Sequence, residues 1–326
     1  MNFRDFAIRS TNTLLDRSIA FSYDRTGFRR HRRAFDPADL DVDLSGRRAL
    51  ITGANSGIGK ETARALVARG AQVTMLCRSL PRAHAARDEI LAEHPGAALD
   101  LFPLDLSERR SVRDCAQRLA SRGPIDRLIH NAGCLNAAHR LAAGGHEHSL
   151  TVNLIEPYRL TRLLLPQLRQ STEGRIIFVS SGGMYAERLR VDRLDMRARG
   201  FDGVTAYARA KRAQVTLTQS LAESLAETSI TVHSMHPGWA DTPAVRSSLP
   251  TFHRLTRSIL RTPAEGADTV IWLATCAHIA QTSGLFWFDR MPQPQHLVSW
   301  TEHAPEEVDR LRAVLDQWTG FGDPIR

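Results

Sequence analysis

The 326-residue chain is predicted to fold as one α/β domain, a doubly wound parallel sheet in a three-layer α/β/α arrangement. Short apolar runs alternate with helical segments of about 10–20 residues, which is the pattern of repeated strand–helix–strand units. A glycine-rich turn after the first apolar run is typical of the same architecture. The pattern begins near Leu44 and passes Asp289 without a flexible linker. We therefore expect a basic N-terminal extension at 1–43, the nucleotide-binding domain at 44–292, and a C-terminal loop and helix at 293–326 packed on it.

Seven apolar runs are predicted to be strands and eight longer segments to be helices. The strands lie at about 48–52, 72–77, 97–104, 125–130, 175–180, 230–235 and 284–289. The helices lie at about 61–69, 81–94, 107–121, 148–170, 204–228, 243–260, 264–277 and 305–318. Gly70 closes the first helix, because glycine adopts the left-handed conformation that ends a helix at little cost.

The net charge of +8 is concentrated near the N-terminus, where residues 1–34 hold eight arginines against three aspartates. Such a segment can attract nucleic acid or an anionic membrane surface. Few aromatic residues are interleaved with these arginines, and no nucleic-acid-binding motif follows, so no nucleic-acid partner is expected. We expect an arm that packs on its own domain or on a partner subunit. Peripheral membrane contact by residues 1–34 is the alternative.

The cysteines and the hydropathy of the chain indicate its location. Cys77, Cys115, Cys134 and Cys276 form no C-x-x-C pair. Their spacing predicts neither a metal site nor a disulfide framework, and it favours buried thiols in a reducing compartment. No apolar run approaches the roughly 18 residues of a membrane-spanning helix, and the N-terminus lacks the pattern of a secretory signal. A cytoplasmic protein is therefore expected.

Residues 52–59, TGANSGIG, form a glycine-rich turn between a predicted strand and a predicted helix. Glycine permits a positive φ in the tight turn and lets the backbone approach a pyrophosphate, and the helix N-terminus offers N–H groups to this anion. The turn predicts a dinucleotide site, although a tight strand–helix turn without a ligand gives the same pattern. The expected contacts are Gly53, Asn55, Ser56, Gly57, Ile58 and Gly59.

The end of the second strand indicates which dinucleotide is bound. Sheets that bind NAD place an acidic residue about 20 residues beyond the glycines, where it binds the ribose 2′-hydroxyl. Arg78 stands at this point instead, and the nearest acidic residue downstream is Asp88. Because an arginine can bind a 2′-phosphate, NADP(H) is favoured over NAD(H). A surface arginine at a strand end is the simpler alternative.

Tyr207 and Lys211 lie four residues apart in a predicted helix, which puts both side chains on one face. A free tyrosine has a pKa of about 10, and a nearby ammonium stabilises the phenolate and makes the phenol a better acid/base. A Y-x-x-x-K pair is uninformative alone, but other polar residues support it. Residues 131–133 (Asn-Ala-Gly) and 180–181 (Ser-Ser) end two strands where open α/β sheets bind ligands, and Asn153 lies inside a long helix.

In this order and spacing, the motifs resemble the classical short-chain dehydrogenase/reductase (SDR) family over about residues 46–290. The resemblance implies a Rossmann fold and hydride transfer between a nicotinamide and a carbonyl or alcohol. It also implies four catalytic residues. Ser181 polarises the substrate oxygen, and Tyr207 exchanges the proton. Lys211 lowers the pKa of Tyr207 and holds the nicotinamide ribose, while Asn153 anchors a water that leads to Lys211.

The resemblance further implies cofactor contacts beyond the glycine turn, with Asp105 at the adenine and Asn131 lining the cleft. These contacts are Asp105, Leu106, Asn131, Ala132, Gly133, Tyr207, Lys211, Pro237, Gly238 and Thr242. Residues 22–26, 180–184 and 235–243 are similar to one branch, that of SDR family member 12, which is related to retinol-dehydrogenase-like enzymes. That branch carries over no substrate class.

Some features depart from the family pattern or concern the substrate. His130 stands where a first asparagine is usual, and Ala210 where serine is common. Residues 182–203 are long and charged, and we expect a surface excursion near the substrate mouth. Residues 239–262 are the expected lid, whose rings could shelter a lipophilic substrate. Its arginines, which could meet an acidic group or form a solvated basic helix face, are Arg246, Arg254, Arg257 and Arg261.

The expected function is an NADP(H)-dependent oxidoreductase that acts on a fairly apolar carbonyl or alcohol, with Tyr207 as general acid/base. The alternative is a non-catalytic NADP(H)-binding sensor or scaffold with a basic docking arm, against which the complete catalytic set argues. A lyase or epimerase would need another acid/base near Ser181, and the sequence offers no clear candidate. The resemblance implies a homodimer or homotetramer paired through the helices near 148–170 and 204–228.

Overall fold

Eight strands form one sheet in the computed structural model of the chain, which describes residues 19–322 and residue 325. The strands are Arg48–Thr52 (β1), Gln72–Cys77 (β2), Leu99–Pro103 (β3), Arg127–His130 (β4), Gly174–Val179 (β5), Ile230–Met235 (β6), Phe286–Phe288 (β7) and Met291–Gln293 (β8). Their order in the sheet is β3-β2-β1-β4-β5-β6-β7-β8. All neighbouring pairs are parallel except β7 and β8, which are antiparallel.

The strand order confirms the predicted doubly wound sheet. From β1 the chain moves outward through β2 to β3, and it then crosses to the other side of β1 with β4. The direction of winding therefore reverses between β1 and β4. Because these strands are parallel, their carboxyl ends lie along one edge of the sheet. Open α/β sheets bind ligands in the crevice at such a reversal, so we look for the site between the ends of β1 and β4.

Helices cover both faces of the sheet. They are Ile19–Tyr23 (α1), Arg25–His31 (α2), Gly57–Val67 (α3), Leu80–Glu93 (α4), Arg109–Ala120 (α5), Glu156–Leu168 (α6), Gly203–Ser224 (α7), Pro243–Ser248 (α8), Pro250–Thr256 (α9), Pro263–Thr275 (α10) and Pro305–Thr319 (α11). One apolar cluster joins α3, α4 and α10 to the sheet, and another joins α5, α6, α7 and α11 to its other face. With helices on both faces, β1 and β5 are buried along their whole length.

The predicted elements are present, with four differences. The helix predicted at 148–170 contains a π-helical segment, Thr151–Ile155, and its regular part begins only at Glu156. The helix after the glycine turn begins at Gly57 rather than at Glu61, since the last part of the turn is already helical. The segment predicted as one helix at 243–260 consists of two short helices, and Pro250 begins the second. Strand β8 was not predicted, because three residues at a sheet edge leave no periodic pattern.

The C-terminal helix α11 packs across α6 and α7. Leu311 and Leu315 are fully buried in the core cluster on this face. The Tyr158 hydroxyl donates to Asp316 Oδ1 at 2.6 Å, and the Arg159 guanidinium donates to the Thr319 carbonyl. The chain's own C-terminal helix therefore covers part of the surface through which we expected subunits to pair.

Residues 182–203 are less of a surface excursion than the sequence suggested. Leu189, Val191 and Leu194 are buried in the same cluster as α11. The Val191 N–H donates to Glu307 Oε2 of that helix at 2.8 Å. Exposure is continuous only at residues 197–200. This segment is thus fixed to the C-terminal helix, and its apolar residues could not be paired with that helix by local pattern alone.

The described part of the N-terminal extension packs on the domain, as expected of an arm. Its Arg25 N–H donates to the Ile259 carbonyl at 2.8 Å. Phe28 is buried, whereas Arg29 is exposed. Residues 1–18 of the predicted basic arm lie outside the described residues. Across the described chain, no helix is both long and apolar enough to span a membrane.

We predict that Leu311→Ala lowers the free energy of unfolding by about 2–5 kcal/mol, because it removes a fully buried side chain between α11 and the core. Urea denaturation followed by circular dichroism measures this change. Asp309→Ala is the matched control, since Asp309 is exposed on the same helix, and it should change stability by less than about 0.5 kcal/mol. Equal effects of the two substitutions would contradict the packing of α11.

Candidate active site at the carboxyl edge of the sheet

The glycine turn lies at the carboxyl end of β1 and has little free space. Gly53 and Gly57 have φ angles of +66° and +56°, which L-residues with side chains rarely adopt. Gly59 is constrained by a neighbour instead, since a Cβ at this position would lie 2.3 Å from Asn131 Nδ2. The turn thus needs glycine at each of the three positions that the sequence singled out.

Asn131 and Thr52 join the ends of β1 and β4 at the reversal of the sheet. Asn131 Nδ2 donates to the Thr52 carbonyl at 2.9 Å. Thr52 Oγ1 accepts from the N–H groups of Asn131 and Ala132 at 3.0 and 2.9 Å. These bonds fix the floor of the cleft. They also show that the Asn131 amide binds the protein backbone.

The N-terminus of α3 fits a phosphate group. Ser56 stands at the N-cap but makes no side-chain hydrogen bond to the first turn, so the N–H groups of that turn lack the usual side-chain acceptor. A Cβ at Gly57 would lie 3.3 Å from Thr242 Cγ2, which places Thr242 beside the same turn. The predicted contacts Asn55, Ser56, Ile58 and Thr242 therefore surround one cradle of backbone N–H groups.

Arg78 and Asp105 lie at the carboxyl ends of β2 and β3, as the sequence predicted. The Arg78 side chain is exposed, and it forms no ion pair or hydrogen bond with any described residue. Asp105 Oδ1 accepts from the Ser107 N–H at 2.9 Å and from its hydroxyl at 2.7 Å. Leu106 is buried behind it. Arg78 is therefore free to bind an anion, whereas one oxygen of Asp105 already holds its own loop.

Ser181, Tyr207 and Lys211 come together at the ends of β5 and α7. The Ser181 side chain lies close enough to the Tyr207 phenol to lower its pKa. Lys211 Nζ lies 5.5 Å from the centroid of the Tyr207 ring and donates to the Val179 carbonyl at 2.8 Å. A Cβ at Gly133 would lie 3.6 Å from the same Nζ, so residues 131–133 border the catalytic group.

Burial controls the protonation of this group. Desolvation raises the pKa of Tyr207 to about 12, although the neighbouring Ser181 side chain acts in the opposite direction. Desolvation also lowers the pKa of Lys211 to about 7. We expected the ammonium to lower the pKa of Tyr207. In the structure the loss of water around the ring dominates instead, and Ser181 rather than Lys211 is the group that opposes it, so Tyr207 is a neutral phenol at pH 7.

Asn153 lies in a π-helical segment, Thr151–Ile155, which precedes α6. Its Nδ2 donates to the carbonyls of Cys134 and Ser149 at 2.8 and 2.7 Å, and its Oδ1 accepts from the Cys134 N–H at 3.3 Å. The side chain therefore ties the loop after β4 to the helix. Single π-helical turns of this kind are frequent at functional sites.

Two residues next to the cleft differ from what the pattern suggested. His130 is fully buried, stacked on Phe178 at 4.8 Å and hydrogen-bonded to Thr161 Oγ1 at 2.8 Å. Burial lowers its pKa to about 3, so it is a neutral core residue. Cys134 is partly exposed near Lys211, and burial raises the pKa of its thiol to about 11.

The lid begins after Pro237 and Gly238. Its arginines differ in burial and in their partners, so they do not form one binding site. Arg261 is buried and forms an ion pair with Asp289 at 2.5 Å, and Arg246 binds Asp241 at 2.7 Å. The Arg261 guanidinium is therefore not available for an acidic substrate, so that expectation is wrong for Arg261, whereas Arg246 forms an ion pair at the surface. The lid is closed at its base, where the Asp241 N–H donates to the Arg261 carbonyl at 2.8 Å.

The rings expected in the lid are close together, and the N-terminal arm adds another. Trp239 and Phe252 are edge-to-face with centroids 5.3 Å apart. Tyr23 lies 6.3 Å from Trp239. The sequence indicated residues 22–26 only through a resemblance, because no local pattern shows that Tyr23 packs against Phe288 of β7 and His236 after β6. No cluster of three or more metal-ligating side chains occurs in the described ranges.

Comparisons with known proteins agree with this geometry. Residues 47–251 match the sequence model of a family described as short chain dehydrogenase. The SDR family member 12 protein of Bos taurus is 39% identical over 312 residues, which cover 93% of this chain and 98% of that protein. Retinol dehydrogenase 12 of Homo sapiens is 35% identical over 252 residues, which cover 76% and 79% of the two chains.

Solved structures show the same fold. A protein of Mycobacterium paratuberculosis superposes with a TM-score of 0.70 at 26% identity, covering 88% of this chain and 98% of its own. A short chain dehydrogenase of Escherichia coli CFT073, complexed with NADPH, gives a TM-score of 0.62 at 27% identity, with coverages of 77% and 99%. The fold, the cleft and the match over most of the chain together show that this protein belongs to the short-chain dehydrogenase/reductase family of oxidoreductases.

Proposed function

We propose that the protein is an NADP(H)-dependent oxidoreductase that interconverts a fairly apolar ketone or aldehyde and the corresponding alcohol. The observation that carries this proposal is the convergence of the Ser181 side chain, the Tyr207 phenol and the buried Lys211 Nζ at one place. Two hydroxyl groups that meet at one point can bind a single carbonyl oxygen. Burial of the Lys211 amine next to them costs free energy, and a chemical role for this amine would explain why it is kept.

The cofactor assignment rests on Arg78 and on the cradle at α3. The cradle offers backbone N–H groups to a pyrophosphate, and the unpaired guanidinium at the end of β2 can bind a 2′-phosphate. Solved relatives in complex with NADPH and with NADP support this assignment. The cofactor supplies the hydride. Gly53, Asn55, Ser56, Gly57, Ile58, Gly59, Asp105, Leu106, Asn131, Ala132, Gly133, Pro237, Gly238 and Thr242 are the proposed contacts around it.

The protein's part in the reaction is to bind the carbonyl oxygen and to deliver a proton. Ser181 orients and polarises this oxygen. Tyr207 is protonated at pH 7, since burial raises its pKa to about 12, and so it is ready to donate as the oxygen gains negative charge. The charge of Lys211 then stabilises the tyrosinate. The protonated Tyr207 is thus the form that carbonyl reduction requires.

Lys211 links the reaction to pH through its own charge. Its pKa is lowered to about 7 by burial, so it is charged below this pH and loses its proton above it. Asn153 positions the loop next to Lys211 through three hydrogen bonds. We propose that it also anchors a water leading to Lys211.

The proposed substrate is apolar because aromatic rings line the region beyond the catalytic group. Trp239 and Phe252 stand in the lid, and Tyr23 stands opposite them. Retinol dehydrogenase 12, at 35% identity, is named for a lipophilic alcohol, which supports the same class of substrate. A cytoplasmic location remains a prediction. A homodimer or homotetramer is likewise still a prediction. Because α11 covers part of α6 and α7, subunits would have to pair through other surfaces.

A non-catalytic NADP(H)-binding sensor is the second candidate, favoured only by the packed N-terminal arm and its arginines. Such a protein would need the cradle at α3 and Arg78. It would have no use for a buried Lys211 next to a phenol. The contact of Ser181 with Tyr207 therefore favours the enzyme.

We predict that Arg78→Ala weakens NADPH binding by about 10- to 100-fold, because one charge-assisted bond to a phosphate is lost. NADH binding should change little, so the preference for NADPH should disappear. Fluorescence titration of both nucleotides measures these affinities. Arg113→Ala, which removes another exposed arginine, is the control and should bind NADPH like the wild type. An unchanged preference in Arg78→Ala would refute the role of this residue.

We predict that Tyr207→Phe lowers kcat for NADPH-dependent reduction of acetophenone by about 10²- to 10⁴-fold, because the proton donor is lost. NADPH affinity should remain close to that of the wild type. In the wild type, kcat/KM for reduction should fall as the pH rises through about 7, where Lys211 loses its charge. Stopped assays from pH 5 to pH 9 test both points. A Tyr207→Phe enzyme as active as the wild type would sink the assignment.

A further inference from the structure

The N-terminal arm is fixed to the domain by one buried guanidinium. Arg261 is 1% exposed and donates to the carbonyls of Ser22 and Tyr23 at 2.9 Å, and to that of Asp24 at 3.1 Å. It also forms a two-bond ion pair with Asp289 at 2.5 and 2.8 Å. Three successive backbone carbonyls of the arm thus bind one side chain of the domain. Residues 22–24 of the arm are therefore an integral part of the fold.

Further contacts fix the position of the arm. His31 Nδ1 lies 2.6 Å from Asp289 Oδ2, on the same carboxylate that binds Arg261. The close approach of α1 and α2 requires glycine, since a Cβ at Gly27 would lie 2.1 Å from the Ser22 carbonyl oxygen. The arm thus has little freedom to shift relative to β7 and the lid.

This anchoring places the Tyr23 ring directly against Gly182, the residue that follows Ser181. A Cβ at Gly182 would lie 2.5 Å from Tyr23 Cε2, so a side chain there would displace the ring. The Trp239 N–H donates to the Tyr23 carbonyl at 2.8 Å. Tyr23 therefore spans the space between the catalytic serine and the start of the lid.

The Tyr23 ring is held in place by neighbouring rings but is not completely buried. It packs against His236 and Phe288 with centroid distances of 4.6 and 5.1 Å. The phenol has no hydrogen-bond partner within residues 19–322, and the side chain keeps 9% of its surface exposed. Burial raises its pKa to about 12, so it is uncharged at neutral pH. An uncharged, largely buried ring of this kind can form an apolar wall for a substrate.

We propose that the arm completes the substrate pocket and that Tyr23 is a specificity-determining residue. A ketone whose oxygen is held by Ser181 and Tyr207 must place one of its two substituents along Gly182. The Tyr23 ring bounds the space on that side. Tyr23 therefore limits the bulk of one substituent and favours methyl ketones over branched ones. This inference rests on the proposed carbonyl reductase function.

The test compares two ketones that differ only in the bulk of one substituent, acetophenone and isobutyrophenone. For wild type, Tyr23→Ala and Tyr23→Leu, kcat/KM is measured for both ketones with NADPH. Both ketones are also titrated against NADP⁺-saturated protein, and the melting temperature is recorded. Arg29→Ala is the matched control, because it removes an exposed side chain of the same arm. Tyr23→Leu keeps apolar volume in case Tyr23→Ala folds poorly.

We expect the preference for acetophenone over isobutyrophenone to fall by roughly 10-fold or more in Tyr23→Ala, with a smaller fall in Tyr23→Leu, because pocket contacts of this size discriminate by 10- to 200-fold. The control should keep the wild-type ratio. A role confined to stability would lower the melting temperature and both rates together. An unchanged ratio would therefore overturn the specificity role of Tyr23 while the enzyme assignment stands.

Failure of the underlying function would look different. In that case the wild type would bind NADPH but would neither bind nor reduce either ketone. That result would overturn the carbonyl reductase proposal, and the substrate role of Tyr23 with it. The wild-type measurements therefore distinguish the two failures before any variant is compared.

Discussion

The parallel pairing of β1 with both β2 and β4 is the constraint on which the rest of the structure depends. It reverses the direction of winding at the centre of the sheet and brings the ends of successive strands to one edge. The glycine turn, Arg78, Asp105, Asn131 and Ser181 all lie at strand ends along this edge. Residues far apart in sequence are thus brought to one cleft by backbone hydrogen bonds alone, before any side chain of the site forms a contact.

A second recurring feature is a buried cationic side chain that donates hydrogen bonds to backbone carbonyls. The Arg127 and Arg175 guanidinium groups are fully buried and donate to carbonyls of α10, and Arg261 binds carbonyls of the arm in the same way. A planar guanidinium with five donors suits such clamps. Lys211 is the buried lysine among these clamps, and it makes a single bond to a carbonyl. Its compact ammonium can lie next to Tyr207, whereas the other buried cations that bind backbone carbonyls are arginines.

The sequence predicted the parts of the molecule that local pattern controls. The strand–turn–helix at Gly53, the pair Tyr207 and Lys211, and the strand-end residues are each determined within a few positions, and the parallel sheet then brings them together. It did not predict which side chains are removed from solvent. Arg261 resembled a lid arginine until its distant partner Asp289 was known.

The places where the arm and the C-terminal helix pack on the domain were not predictable for the same reason. Tyr23 lies beside Gly182 only because Arg261 binds the arm, and α11 covers α6 and α7 through Leu311, Leu315 and Asp316. These contacts join segments more than a hundred residues apart, and no periodicity within either segment specifies its partner. The resemblance to a family gave the proposed catalytic residues, whereas the features particular to this chain came from its packing.

Transfer of deuterium from NADPH that is deuterated at the nicotinamide C4 tests the central claim most directly. The protein is incubated with each C4 epimer of the labelled nucleotide and acetophenone, and the product is examined by mass spectrometry. The account predicts 1-phenylethanol with one deuterium on the carbinol carbon from one epimer and not from the other. NADPH binding without any labelled alcohol from either epimer would contradict the account and would favour a protein that binds the nucleotide without using it.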